Sequence, residues 1–280
     1  MQYGLLNNLR CSGRRSLSGL VGYLTTLKVP QDVLARVIHS YANRFLIDLE
    51  ESALSPEEAE SFVQFFTRPL KPGLRPLDEA EQFLLSPADG LFTVGGPIKD
   101  GRLEQVKGRT YALGDFLNDS EAERVFDGGD HMVVYLSPSD YHRVHFPVTG
   151  KVTGWRYIPG DKLTVQPHVL LRTPDVFVRN ERLVVFQDTE FGKMATVLVG
   201  ATCVAKLTMS FDKDLEEQRF HYENFRNYKD PIEVSAGDEL GMFEMGSTVV
   251  VLCEPGMVDV LQEKTDSKIR YGKSLAKWRK

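Results

Sequence analysis

The sequence predicts an α+β protein with a β-rich core, an antiparallel sandwich or a partly open barrel, preceded by N-terminal amphipathic helices. Three observations support this fold class. Apolar residues recur at helical spacing up to about residue 66. From about residue 84 onward, short apolar runs alternate with glycine and proline turns. Few helical patterns separate these runs, which favours antiparallel strands over the βαβ units of a parallel sheet.

Amphipathic helical patterns occupy the N-terminal part of the chain. One lies between residues 17 and 27, and a second follows Pro30 and continues to Leu49. Ser55-Pro56-Glu57-Glu58 then has the form of an N-cap with proline at the first helical position, which predicts a short helix ending near Phe66. We expect residues 31–50 and 56–66 to pack mainly on protein, and residues 1–28 to contact lipid.

The remainder of the chain is predicted to form short strands. Candidate strands lie at residues 91–94, 131–136, 150–157, 183–187, 193–206 and 247–252. One short helix is expected at residues 111–117. We therefore divide the chain into a helical, membrane-associating region, residues 1–70, and a β-rich catalytic domain, residues 71–280.

The charge distribution bears on the partners of the protein. With 34 Lys and Arg against 39 Asp and Glu, the net charge is −5, so the chain has no overall basic field that would indicate a nucleic-acid partner. Both ends are basic, however: the last twenty residues hold seven Lys and Arg against two acids. Basic ends beside amphipathic helices predict contact with an anionic lipid surface.

Other classes are excluded by what the sequence lacks. It contains no run of eighteen apolar residues, which argues against a transmembrane helix, and no continuous apolar signal-peptide core. Its three cysteines are widely spaced, without a disulfide framework or metal-ligand spacing. We expect no metal and no nucleotide cofactor, and a peripheral location at the cytoplasmic face of the cell membrane.

A Gly-Ser-Thr motif near the C-terminus carries a specific chemical possibility. Gly246 precedes Ser247 and Thr248, and the apolar run 249–252 follows. With no side chain on Gly246, the Ser247 hydroxyl has free access to the preceding carbonyl, and its attack would exchange the peptide bond for an ester. Elimination and hydrolysis would then leave a pyruvoyl group at position 247. Taken alone, the motif is a weak signal, and a turn that enters a strand is the better explanation.

Two upstream motifs change this interpretation. They are Leu85-Ser86-Pro87-Ala88-Asp89-Gly90 and the run LSPSDYHRVHFP at residues 136–147. Together with Gly-Ser-Thr, and in this order, they resemble the phosphatidylserine decarboxylases of the bacterial type. Stretches at residues 65–70, 179–182, 188–192 and 199–202 fit the same family, and the similarity covers about residues 60 to 260. Met245 departs from the leucine usual in the family, and residues 209–237 match no family pattern.

The resemblance implies a proenzyme that cuts itself between Gly246 and Ser247. Residues 1–246 become the β chain, and residues 247–280 become the α chain headed by pyruvoyl, the cofactor and Schiff-base acceptor. Asp89, His145 and Ser247 are the self-cleavage triad that the family implies. The implied reaction converts phosphatidylserine in the membrane to phosphatidylethanolamine and carbon dioxide, and the family also suggests a homodimer.

Roles for the neighbouring residues follow from chemistry and from the resemblance. Histidine titrates near neutrality and an aspartate can orient it, so His145 and Asp89 suit activation of the serine hydroxyl. In the family, the counterpart of His142 is linked to decarboxylation, and we expect His142 to be the proton donor. Tyr141 and Arg143 are candidate substrate-binding residues. A structural ion pair is the alternative for Arg143.

Three other functions remain open on the sequence. A pyruvoyl decarboxylase of the same family could act on a soluble amino acid, although the basic amphipathic N-terminus argues against this. A serine hydrolase could use Ser247, His145 and Asp89 on an external ester and would keep an intact chain. A non-catalytic binding module would have no need of paired histidines near a Gly-Ser-Thr turn.

Overall fold

The computed structural model describes residues 25–106, 108–202, 207–212, 222–243 and 247–279. The structural statements below refer to those residues. Most of the segment predicted to contact lipid, residues 1–28, lies outside them, as do Gly246 of the predicted cleavage site and Met245.

The N-terminal helices differ in their bounds from the prediction. Helix α1 spans Gln31–Phe45 and buries Leu34, Ile38 and Ala42. It ends at Leu46, whose left-handed backbone (φ 56°) turns the chain out of the helix, so the predicted continuation to residue 50 is wrong. A single 3₁₀ turn follows at Leu49–Glu51.

The helix predicted at residues 56–66 is also shorter than expected. Residues 56–58 form only a turn, in which the Glu58 carboxylate accepts both the backbone N–H and the hydroxyl of Ser55. Helix α2 spans Phe62–Phe66, and Ser61 caps it by accepting the N–H of Gln64. The N-cap therefore lies at the second serine, and the proline marks a preceding turn.

The described strands, in chain order, are β1 (Phe83–Leu85), β2 (Gly90–Pro97), β3 (Arg102–Val106), β4 (Arg109–Ala112), β5 (Asp130–Leu136), β6 (Arg143–His145), β7 (Gly150–Ile158), β8 (Arg182–Thr189), β9 (Gly192–Gly200), β10 (Leu207–Met209), β11 (Asn224–Val234), β12 (Glu239–Phe243), β13 (Ser247–Cys253), β14 (Val258–Val260), β15 (Ser267–Ile269) and β16 (Ser274–Trp278). Short helices also lie between strands: α3 (Leu113–Leu117), α4 (Ser120–Phe126), α5 (Pro167–Leu170) and α6 (Val176–Arg179).

The main sheet has eight antiparallel strands in the order β11-β7-β8-β9-β13-β5-β2-β15. Smaller sheets are formed by β1-β16-β14, by β10-β12-β6 and by the hairpin β3-β4. The eight-stranded sheet has two open edges, at β11 and β15, so it is not closed into a barrel. The predicted fold class, α+β with a β-rich antiparallel core, is confirmed.

Strand β13 lies near the middle of the main sheet. It pairs with β5 on one side and β9 on the other along all seven of its residues, and every one of them is buried. Its continuous apolar run is typical of a strand that is covered on both faces. At its first residue, Ser247 lies opposite Leu136 of β5 and Gly200 of β9.

Two predicted elements need correction. The strand predicted at residues 193–206 ends at Gly200 in β9, and residues 203–206 lie outside the described part. The helix predicted at 111–117 begins at Leu113, because Tyr111 belongs to β4 and pairs with Leu103. Among the described helices, none is both long and apolar enough to span a bilayer.

Candidate active site

The three predicted motifs meet at one end of the main sheet. Strand β5 ends at Leu136, directly opposite Ser247, and the chain then turns through residues 137–142 into β6. The backbone N–H of His145, at the end of β6, donates to the carbonyl of Pro87, two residues before Asp89. Strand pairing and this single backbone bond therefore place segments from distant parts of the sequence side by side.

Ser247 is completely buried, and its hydroxyl has no hydrogen-bond partner among the described residues. A buried hydroxyl without a partner is costly, because it has lost its bonds to water and gained none in exchange. Such a group is uncommon in a strand with complete backbone pairing on both sides. The cost marks Ser247 as a residue that is kept for a reason other than stability.

His145 is held by contacts to both ring nitrogens. Its Nδ1 lies 2.8 Å from the carbonyl of Gly237, and its Nε2 lies 3.2 Å from the hydroxyl of Tyr141. Since a carbonyl can only accept, Nδ1 carries the proton, and Nε2 accepts from Tyr141. The ring also stacks on Tyr271 at 3.9 Å. Burial lowers the pKa of His145, so the imidazole is a neutral base with its lone pair at Nε2.

Asp89 is fixed by a buried arginine. Arg75 donates to its carboxylate from Nη2 at 2.7 Å and from Nε at 3.0 Å, and the backbone N–H of Tyr271 donates at 2.8 Å. Arg75 also binds Glu51, at 2.6 Å. Burial opposes the charge of Arg75, but its bonds to Asp89 and Glu51 outweigh that effect and raise its pKa. Asp89 is thereby presented as a fixed negative charge.

The proposed triad is brought together without a continuous hydrogen-bond chain. Among the described residues, no hydrogen bond joins Asp89 to His145 or His145 to Ser247. Tyr271 connects the first two, because its backbone binds Asp89 while its ring stacks on His145. Asp89 therefore acts on His145 through its charge in this structure, and direct contact with Ser247 would require His145 to exchange its present partners.

His142 has a different environment from His145. It is completely buried, its Nδ1 donates to the carbonyl of Asp140 at 2.8 Å, and its ring packs on Phe66 at 4.1 Å. Its Nε2 has no partner among the described residues. Burial lowers the pKa of His142 to about 3, so it is neutral at pH 7. The carbonyl of His142 accepts the N–H of Phe243, four residues before Ser247.

Tyr141 and Arg143 lie on either side of His142 in the chain. Tyr141 is buried and donates its hydroxyl to His145. Arg143 pairs with Glu239 at 2.7 Å and donates from Nε to the carbonyl of Thr67 at 2.9 Å. Arg143 thus has the structural ion pair that the sequence left as the alternative to substrate binding.

A cleft of about 590 Å³ opens beside Asp89 and Tyr141. Its walls come from the N-terminal region, including Arg68 and Arg75, and from the C-terminal segment around β15. The basic residues that line the second wall are Lys264, Lys268, Arg270 and Lys273. Part of the excess positive charge near the C-terminus therefore faces the cleft.

Comparison with known proteins identifies the family of this chain. A family model described as phosphatidylserine decarboxylase matches residues 62–277. The chain belongs to this family. It is 42% identical over 265 residues to the phosphatidylserine decarboxylase proenzyme of Myxococcus xanthus (strain DK1622), with 94% of each chain covered.

Two further relatives carry the same name. The protein of Anaeromyxobacter sp. (strain K) is 41% identical, with 90% of this chain and 89% of that protein covered. The protein of Shewanella sp. (strain ANA-3) is 38% identical, with 93% and 91% covered. The family resemblance predicted from the three motifs is confirmed.

Several residues of this family member's site were not predicted from the sequence. Arg75 and Tyr271 hold Asp89, and Arg68 lines the cleft next to His142. Arg75 lies 14 residues before Asp89 and Tyr271 lies 182 residues after it, so no local pattern links them. Arg68 belongs to residues 65–70, one of the stretches that fit the family. This similarity was the signal that could have identified Arg68 from the sequence.

Proposed function

We propose that this chain is a phosphatidylserine decarboxylase that is made as a proenzyme and cuts itself between Gly246 and Ser247. The observation that carries the proposal is the buried, unpartnered hydroxyl of Ser247 at the start of β13, in a chain of this family. The product would be phosphatidylethanolamine with release of carbon dioxide. The names of the relatives support this substrate.

In the proposed cleavage, the Ser247 oxygen attacks the carbonyl carbon of Gly246 and its proton passes to Nε2 of His145, directly or through the Tyr141 hydroxyl. The bond from Gly246 to the nitrogen of Ser247 breaks, and that nitrogen takes the proton as the ester forms. Loss of the Cα proton then expels the Gly246 carboxylate and leaves dehydroalanine. Water adds, ammonia departs, and a pyruvoyl group heads the α chain, residues 247–280.

Asp89 and His145 have different roles in this proton transfer. His145 is neutral and has its lone pair at Nε2, as a base requires. The fixed charge of Asp89 favours the imidazolium that forms when His145 takes the proton. Arg75 keeps Asp89 in place, so we assign it a positioning role.

The residues around position 247 suit the pyruvoyl group. This group supplies an electrophilic carbonyl that takes up the amine of the substrate and accepts the electrons left by departing carbon dioxide. The unpartnered hydroxyl shows that the present contacts do not satisfy a polar atom at this position. The buried surroundings of β13 shield the reacting atoms from bulk solvent, so that only the water consumed in the hydrolysis steps needs to enter.

His142 is the proposed proton donor to the carbon that loses carbon dioxide. In the structure its Nδ1 proton is bound to Asp140, and Nε2 carries a lone pair. Donation from Nε2 therefore requires His142 to gain a proton when substrate enters. The negative charges of the phospholipid headgroup would raise the pKa of His142 in this low-dielectric site.

The remaining parts of the proposal concern location. We infer that residues 1–70 form the membrane-associating region and residues 71–280 the catalytic domain, at the cytoplasmic face of the membrane. Tyr141 and Arg143 are kept as substrate-binding candidates, although the pair with Glu239 favours a structural role for Arg143. A serine hydrolase fits less well, because it would keep an intact chain, whereas the relatives are named proenzymes of a decarboxylase.

The direct test is release of carbon dioxide from phosphatidylserine labelled in the serine carboxyl group. Wild-type protein should release it and accumulate phosphatidylethanolamine, whereas Ser247→Ala should not. Ser235→Ala, which removes an exposed hydroxyl, is the matched control and should behave as wild type. Absence of release by wild type, or equal release by Ser247→Ala, would overturn the proposal. Free serine, offered in parallel, tests the soluble amino acid as substrate.

A further inference from the structure

Arg68 is a buried cation without an ion pair among the described residues, although the charges of Glu51 and Asp140 act on it from a distance. Its residue is only 4% exposed, and its guanidinium lies over the ring of Phe65 at 4.9 Å. Nε has no partner among the described residues, and the bond from Nη1 to the carbonyl of Phe65 is long, at 3.5 Å. Among the described residues, no carboxylate lies within ion-pair distance of Arg68.

Other buried arginines of the described chain are satisfied. Arg75 is neutralised by Asp89 and Glu51. Arg182 donates to four backbone carbonyls, those of Asp115, Phe116, Val178 and Asn180. A buried cation without such partners is strongly unfavourable. Its presence indicates a position at which a bound anion forms the missing ion pair.

Arg68 faces the cleft beside Asp89, and a second unpaired cation lines the same space. Lys268, on β15, is exposed and has no hydrogen-bond or ion-pair partner among the described residues. The other cations of that wall are already bound: Arg270 to Glu51, Lys273 to Asp78, and Lys264 to Ser274. The cleft therefore has two cations without an ion pair among the described residues, one from each wall, and Asp140 is the carboxylate of the lining whose charge acts on both.

We propose that Arg68 and Lys268 form an anion subsite that binds the phosphodiester of the substrate headgroup, an inference that rests on the proposed function. The planar guanidinium of Arg68 suits two phosphate oxygens at once. The position of Arg68 in the chain fits the assignment. Arg68 lies two residues after Phe66, and Phe66 packs on His142, the proposed proton donor. Leu46 and Leu70 line the same cleft, and Leu46 is 89% exposed, so an apolar rim is available to the lipid part of the substrate.

The serine carboxylate is the less suitable occupant of this subsite. It must leave as neutral carbon dioxide, so its charge disperses in the transition state. An arginine bound to it would stabilise the starting carboxylate more than the transition state and would slow the reaction. The phosphodiester keeps its charge throughout, so binding it lowers KM without hindering kcat.

The test uses mature wild-type protein and monomeric dihexanoyl phosphatidylcholine, which has the phosphodiester but neither a carboxylate nor a primary amine. Arg68→Gln should weaken its binding about ten- to a hundredfold, as expected for a lost hydrogen-bonded charge. Lys268→Gln should weaken it only a few-fold, since an exposed charge contributes little. Lys193→Gln, an exposed cation elsewhere, is the matched control and should bind as wild type.

Activity and stability measurements separate this role from others. In Arg68→Gln, KM for phosphatidylserine should rise with kcat nearly unchanged, Arg68→Lys should recover part of the binding, and the Tm should not fall, because an uncompensated buried charge is removed. Unchanged lipid binding with a lowered Tm would show a structural role and overturn the subsite. Unchanged lipid binding with a lowered kcat would assign Arg68 to the carboxylate and would also overturn it.

The source of the anion and the parent proposal are tested separately. If inorganic phosphate bound to wild type more tightly than the lipid did, the subsite would be one for free phosphate, and the headgroup assignment would fail. A wild-type protein that bound dihexanoyl phosphatidylcholine through Arg68 but released no carbon dioxide from phosphatidylserine would contradict the decarboxylase and leave the subsite standing.

Discussion

At the scale of single residues, four buried polar atoms at or near the candidate site lack hydrogen-bond partners, and others lie elsewhere in the described chain, on Tyr111, His131, Arg156 and Thr208. The hydroxyls of Ser247 and Thr248, Nε2 of His142 and Nε of Arg68 are all buried without partners among the described residues. Each carries a desolvation cost that a structure optimised for stability alone would avoid. Their grouping at one end of the sheet supports the interpretation that this end is where the chemistry occurs.

The two histidines should have separable effects. His145→Ala should impair self-cleavage, because the proposed base for the Ser247 hydroxyl is removed. His142→Ala should mature substantially but lose about 10²–10⁴-fold in turnover, the usual cost of removing a general acid. Gel analysis of maturation and assay of carbon dioxide release on the same preparations check both. Full turnover by His142→Ala would refute the donor role.

The same histidines give a predicted pH dependence of stability. Burial lowers the pKa values of His131, His142 and His145 in the folded protein, that of His142 to about 3, from the usual 6.5. Between about pH 6.5 and 3 the unfolded chain binds more protons, so the free energy of unfolding falls as pH falls through this window. The loss from pH 7.5 to 5 should be roughly 2 kcal/mol for each histidine that stays neutral.

Urea unfolding at pH 7.5 and at pH 5 measures this difference. His142→Gln should lose less stability between the two pH values than wild type, because one suppressed protonation is gone. Ser235→Ala, which removes an exposed hydroxyl that does not titrate in this range, is the control and should show the wild-type difference. Equal stability of wild type at both pH values would show that the buried histidines are not held neutral.

The chemical types of the site residues were predictable from the sequence, but their bonding was not. The three motifs singled out Asp89, His142, His145 and Ser247. Their order along the chain contains no information on which partner each would take. Asp89 binds Arg75 instead of the imidazole, and His145 binds Tyr141 and Gly237. These contacts depend on how distant segments pack, which local pattern does not record.

At the scale of secondary-structure elements, strand β13 links folding to maturation. Its apolar sequence predicted a buried strand, and the structure places it between β5 and β9 with full pairing on both sides. The predicted helix at 56–66 is interrupted: Glu58 bonds back to Ser55 as at a helix start, but only one turn forms there, and a second N-cap at Ser61 begins the helix at Phe62. Long apolar runs are therefore predicted better than short capped segments, whose outcome depends on single side chains.

The α chain should remain bound after cleavage, since β13 is held by two strands and by buried apolar contacts. Native mass spectrometry should show both chains together, and they should separate only in denaturant. Leu252→Ala, at a completely buried position of β13, should lower the free energy of unfolding by about 2–5 kcal/mol. Lys277→Ala, at an exposed position of the same chain, is the control. Spontaneous separation of the chains in native buffer would contradict the assigned role of β13.

At the scale of the whole molecule, charge and apolar surface are distributed unevenly. Helix α1 buries one side but leaves Val33 and Val37 exposed, at 42% and 50%, with Arg36 one turn from Val33 and next to Val37 in the chain. Leu46 is exposed at the end of the same helix, on the rim of the cleft. An apolar strip beside cations near the site entrance suits a surface that meets an anionic bilayer.

Deleting residues 1–28 should leave self-cleavage intact but weaken membrane binding. The deleted segment carries leucines at helical spacing with Arg10, Arg14 and Arg15 among them, and each cation near an anionic surface contributes about 1 kcal/mol. Turnover should fall on bilayers and be better retained on short-chain substrate in detergent. Co-sedimentation with anionic vesicles measures the binding, with neutral vesicles as control. Undiminished binding would place the interface elsewhere, and aggregated, uncleaved protein would show that the segment packs on the β-rich domain.

The central claim, that the chain cuts itself at Ser247, is tested most directly by intact mass under denaturing conditions. Wild type should give two chains, residues 1–246 and residues 247–280, the smaller one lighter by one ammonia than the same peptide with an N-terminal serine. Ser247→Ala should give a single chain of full length. A wild-type preparation that decarboxylates phosphatidylserine at full rate while showing only the intact chain would contradict the account.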